Sequence, residues 1–131
     1  MLTQYITTNR IVAFVALVFG VLTIKSGGQV LFIDGPARAA AGNYISFVVW
    51  FNFLAGFVYI FSAIGLSLSK VWGGWLALII AISTVIIFLL VGIHISNDGM
   101  YETRTIAAMS LRSIVWIFIA AYSYRKLIYT R

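Results

Sequence analysis

Long apolar stretches alternate along the chain with short segments that hold most of its charged residues. A transmembrane helix needs about 20 consecutive, mostly apolar residues, and four stretches meet that length. They predict spans at about 7–25, 44–69, 73–96 and 102–124, with an interfacial loop over 26–43. The first apolar core, residues 11–24, is short enough to be read as a signal-peptide core. The nearest small-x-small site, Ala37-Arg38-Ala39, lies too far beyond it for signal peptidase, so residues 7–25 read as a retained helix. Gly27-Gly28, Asp34-Gly35 and Pro36 punctuate the loop. Its apolar pieces, Val30-Leu31-Phe32-Ile33 and 37–41, are too short to span. They suit a capping loop on the interface, or a lid. Trp72 and Trp75 mark the interface beside a very short turn at Lys70, so spans two and three form an antiparallel hairpin.

Periodicity within the spans predicts which faces turn inward. At about 100° per residue, Asn52, Gly56, Tyr59 and Ala63 share one stripe of the second span. Glu102, Thr105, Met109, Arg112 and Trp116 share one of the fourth. Ala16 and Gly20 give the first span a small-xxx-small edge for close helix packing. Asn97 or Asp98 is expected to cap the fourth helix, with Glu102 in its first turn complementing the positive end of the helix dipole.

Composition sharpens this picture into a class. Of 131 residues, 63% are hydrophobic and 9% charged, against roughly 25% charged in a soluble domain. The fold class is therefore all-α, an integral membrane four-helix bundle in one domain. Nine Lys and Arg against three acids give a net charge of +6. The basic residues sit at the ends of apolar runs and form no dense patch, which excludes a nucleic-acid partner. Cysteine is absent, which excludes disulfides and thiol chemistry. With four spans, one side collects Arg10, Lys70, Arg125, Lys126 and Arg131 and no acid. The other side balances Lys25, Arg38 and Arg104 against Asp34, Asp98 and Glu102. The positive-inside rule then predicts cytoplasmic termini, an inner plasma membrane location, and an outward-facing segment at 94–104.

Candidate chemistry gathers in residues 94–112. Arg112 lies roughly 10 Å into the membrane at about 1.5 Å per residue, where a charge is costly unless paired or hydrated. It either snorkels to the outer headgroups or turns into the bundle beside Asn52, whose amide carbonyl can accept from a guanidinium, with Glu102 or Asp34 supplying charge from above. His94, Asp98 and Glu102 recur every four residues and have metal-ligand chemistry, but the Asn97-Asp98-Gly99 break argues against one continuous ligand face. No metal is assigned. His94 shares a helical face with Ser83, and a His–Ser pair with Asp98 as orienter would be a hydrolase-like arrangement, yet these residue types are equally at home in caps and helix interfaces. No catalytic residue is assigned. The expected ligand-binding set is Arg112, Asn52, His94, Glu102, Met109 and Trp116. No cofactor is required, although a quinone or lipid could occupy an aromatic-rich pocket.

The runs NRIVAFVALVFGVLTIKSG and NFLAGFVYIFSAIGLSLSKVWGGWLALIIAISTVIIFLLVGIH resemble the small four-helix DoxX-like membrane proteins. Arg10 opens the first helix, Asn52 with Gly56 marks the second, and Lys70 forms the tight basic turn into the third. The resemblance implies an accessory or quinone-linked subunit of a membrane redox system, and the oily surfaces suit an accessory or assembly subunit packed in the lipid bilayer against a membrane-protein partner or a second copy. The pattern's usual glutamate is replaced by Asn52, and the resemblance supplies no catalytic residue. The alternative expectation is a binder of a quinone or lipid-like small molecule at an outer-leaflet site around Arg112.

Overall fold

The computed structural model describes residues 2–42 and 44–128. Asn43, at the end of the expected loop, and Arg131, counted in the charge asymmetry, lie outside them. The described residues form no strand. The elements are α1 (Leu2–Phe32), the short α2 (Pro36–Ala41), α3 (Ser46–Ser67), α4 (Val71–Ser96) and α5 (Thr103–Ser123), which runs into a π-helical turn at Tyr124–Ile128. The four long helices are each long and apolar enough to cross a membrane.

The first helix departs from expectation at its C-terminal end. It continues past Lys25 and through Gly27-Gly28 to Phe32, so the connection begins seven residues later than position 26. The glycines are packing positions. A Cβ on Gly27 would lie 3.1 Å from that of Phe53, so the bare backbone lets α3 come close. The last turn is capped by Arg38 of α2, whose Nε and Nη2 donate to the carbonyls of Val30 and Leu31 at 2.8 and 2.9 Å. A cation on the last carbonyls of a helix satisfies orphan acceptors and the negative end of the dipole together.

The inward face of α1 is a stripe of small or polar residues. Asn9, Ala13, Ala16, Gly20, Thr23 and Gly27 are all buried, at alternating spacings of four and three. The tightest approach to α3 is reciprocal. A Cβ on Gly20 would stand 2.9 Å from the Gly56 carbonyl oxygen, and one on Gly56 would stand 3.1 Å from that of Gly20. The expected small-xxx-small edge is thus in use, and Gly56, Tyr59 and Ala63 face inward as their periodicity predicts. Large apolar side chains such as Phe14, Leu54, Phe61, Ile82, Leu89 and Phe118 point outward. That is the inside-out pattern of a helix bundle solvated by lipid.

Both α4 turns end in a left-handed residue. At the α3–α4 corner Ser69 has φ 56°, and the amides of Lys70 and Ser69 donate back to Gly65 and Leu66. At the α4–α5 corner Asp98 has φ 61°, and the amides of Gly99 and Asp98 donate back to His94 and Ile95. Both are Schellman closures. Asn97 and Asp98 therefore terminate α4 instead of capping α5. Glu102 takes the N-cap position of α5 without a side-chain cap bond.

The long helices pack in chain order, α1 on α3, α3 on α4 and α4 on α5. Long side chains bridge the remaining α1–α5 seam. At the end holding the α3–α4 turn, buried Asn9 donates through Nδ2 to Ser69 Oγ at 2.7 Å and accepts from the Tyr122 hydroxyl. One amide thus ties together α1, the turn and α5, and it steadies a serine held in a left-handed conformation. Replacing it by leucine, Asn9→Leu, is expected to cost about 1–3 kcal/mol through lost and orphaned hydrogen bonds. Equilibrium unfolding in detergent measures this, and an unchanged midpoint would show that the amide ties nothing.

Candidate functional site

Toward the other end of the same seam, α5 turns Arg112 inward. Its Nη1 donates to Thr23 Oγ1 of α1 at 2.8 Å, and its Nε is buried without a partner. Among the described residues it has no acidic partner. Asp34 is exposed and lies 3.9 Å from Arg38, so it supplies no charge to Arg112. The guanidinium also stands near the Tyr59 hydroxyl, which neighbours Thr84 and Trp116. These groups are close without meeting hydrogen-bond geometry. The Tyr59 hydroxyl, Thr84 Oγ1, Trp116 Nε1 and the nearby Ser113 Oγ are all buried and unpaired. Beneath Arg112 the rings of Tyr59 and Trp116 lie against one another, centroids 4.6 Å apart and tilted by 38°. The result is a cation on a polar, aromatic floor in the middle of the bundle.

Arg112 and Asn52 line one cavity of about 140 Å³ with Thr23, Ser26 and Val49. They do not bond directly. Asn52 reaches only Met109 Sδ through Nδ2, at 3.9 Å, and its Oδ1 is buried and unpaired. A second cavity of about 300 Å³ shares Ser26, Val49 and Asn52 with the first and extends past Met109 and Thr105 to Glu102 and Arg104 at the head of α5. The two cavities adjoin, and the half-buried guanidinium lines the smaller one. Glu102 lines the larger one with its carboxylate against Gly42, whose φ of 64° and lack of a side chain leave room for it. Arg104 donates to the Ala40 carbonyl and so holds α2 to the head of α5.

Of the expected set, Arg112, Asn52, Met109 and Glu102 line these cavities, and Trp116 lies in the floor. His94 does not join them. The left-handed Asp98 folds the chain back so that His94 Nε2–H donates to the Met100 carbonyl at 2.9 Å, with Gly99 against one side of the ring and Phe47 edge-on. Its role is to close a turn. The suggested histidine–serine chemistry has no geometry behind it, since Ser83 and Ser96 donate to carbonyls of their own helix, those of Ile79 and Gly92. Among the described residues no three His, Asp or Glu side chains gather as a metal group. Thr23, Ser26, Val49, Thr84 and Ser113 are members that sequence reasoning missed. Thr23 had a signal, its place in the buried small-residue stripe of α1, whereas Thr84 had none. Comparison with family models, with curated proteins and with solved structures gives no match.

Proposed function

We propose that the chain crosses an inner plasma membrane four times with both termini cytoplasmic, and that it binds a quinone- or lipid-like small molecule by its headgroup in the Arg112 cavity. The orientation is supported by Arg10, Lys70, Arg125 and Lys126, which share one side with no acid. One observation carries the binding role. Arg112 lines a cavity between the helices and, among the described residues, makes a single side-chain hydrogen bond, with a buried Nε that makes none. An arginine serving only as a strut inside a membrane would be expected to spend its donors on the protein. An accessory or assembly subunit of a membrane redox complex, in keeping with the DoxX-like resemblance of Arg10, Asn52 with Gly56 and Lys70, is a role such a binder fills. It would hold the molecule at the disposal of a membrane-protein partner or a second copy.

The test is direct. Protein purified in mild detergent should release a stoichiometric small molecule into organic solvent, seen by mass spectrometry, and Arg112→Leu should release none. An extract from the unaltered chain that contains only bulk lipid sinks the proposal.

A further inference from the structure

The chemistry around Arg112 narrows the headgroup. We propose that the site takes one singly charged carboxylate, carried either by a free short organic acid or by a fatty acid, in preference to a neutral carbonyl headgroup. This rests on the reading of the Arg112 cavity as a binding site.

Charge is the first ground. A guanidinium inside a span with no acidic partner among the described residues leaves one positive charge uncompensated. A neutral quinone or ester would accept hydrogen bonds and leave that charge standing. One carboxylate cancels it, whereas a dianion would replace a net positive site by a net negative one. Hydrogen-bond geometry is the second ground. Nη1 is held by Thr23, and Nη2 is without a protein partner among the described residues. A planar fork with open donor capacity matches the two oxygens of a carboxylate. Asn52 completes the cradle. Its amide lines the same cavity and holds a long contact with Met109 Sδ through Nδ2.

Size is the third ground. About 140 Å³ holds roughly four or five waters at about 30 Å³ each, enough for a carboxylate and a few carbons and well below the roughly 300 Å³ at which pockets for drug-sized ligands begin. A short acid would enter from water through the wider cavity past Glu102 and Arg104, and a fatty acid from lipid along the α1–α5 seam that Arg112 and Thr23 bridge.

The experiment uses the full chain in phosphatidylcholine nanodiscs and four probes: butyrate, oleate, methyl oleate, and a neutral benzoquinone with a ten-carbon tail. Binding is read from the ligand-dependent rise in melting temperature. Oleate, butyrate or both should bind, methyl oleate should be at least ten-fold weaker than oleate, and Arg112→Gln should lose at least ten-fold in carboxylate affinity. Binding of butyrate, with or without oleate, assigns a free acid, and binding of oleate alone assigns a fatty acid. Either outcome supports the proposal. Equal affinity for oleate and its methyl ester, or binding of the quinone alone, overturns it while the cavity still stands as a binding site. Binding of no probe overturns this inference, and the parent reading is then judged separately by the solvent extract. If Arg112→Gln fails to fold, the acid–ester comparison on the unaltered chain decides.

Discussion

Gly73→Ala should cost about 3 kcal/mol of stability, out of proportion to the single methyl group it adds. A Cβ on Gly73 would fall 2.6 Å from the Gly65 carbonyl carbon and 2.6 Å from the Leu66 nitrogen. These are backbone atoms of α3, and no rotamer change can move them aside. The reverse clash is equally close, with a Cβ on Gly65 2.6 Å from Gly73 Cα. The helices must part where the short Ser69–Lys70 turn holds them together, and Ser62 Oγ must give up its 3.0 Å bond to the Gly73 carbonyl. Overpacking typically costs 1–3 kcal/mol, and an obstacle made of backbone places this site near the upper limit. Gly92 supplies the control on the same helix. Nothing lies within 4 Å of its Cβ position, so Gly92→Ala should be neutral or gain up to about 1 kcal/mol from helix propensity. Unfolding midpoints of the two variants, compared in one detergent, check the pair. Equal midpoints would mean that α3 and α4 do not touch at Gly65 and Gly73.

The two glycine pairs also show why some of this architecture was legible in the sequence and some was not. Apolar length fixes helices in lipid with little ambiguity, because the backbone has no partner there except itself. The α3–α4 hairpin and the inward faces at Gly56, Tyr59, Ala63, Met109 and Trp116 follow from that length and from periodicity. The same logic makes Gly27-Gly28 misleading. In water a glycine pair after an apolar run signals a stop, but in this bundle the helix runs on and the pair admits Phe53. His94 was misplaced because its partner depends on one left-handed residue, Asp98, which redirects the following carbonyls. Thr23 lies 89 positions from Arg112. Their pairing follows from which helices flank the open seam, and no local pattern encodes that neighbourhood.

Arg112→Leu should abolish ligand binding without lowering stability, and Thr23→Val should do the opposite to stability. The contrast follows from what each change leaves behind. Removing Arg112 removes a charge that has no counter-ion, and exchanging buried ionic groups for apolar side chains of similar size is often neutral or stabilising by about 1–4 kcal/mol. The group left behind is the Thr23 hydroxyl, which can bond to a carbonyl of its own helix as threonines in helices do. Removing the Thr23 hydroxyl instead leaves the guanidinium in place and takes away its one hydrogen-bond partner. An orphaned donor costs about 1–3 kcal/mol when buried, and on this half-buried cation Thr23→Val should melt below the unaltered chain by the lower part of that margin. Both variants are to be compared in detergent after bound small molecules have been stripped, so that ligand stabilisation does not enter. If Arg112→Leu melts well below the parent while Thr23→Val matches it, the arginine is a strut of the α1–α5 seam and the binding role loses its ground. If Arg112→Leu is at least as stable as the parent and empty of ligand, the charge is retained at a cost to the fold, which is the signature of a side chain kept for what it binds.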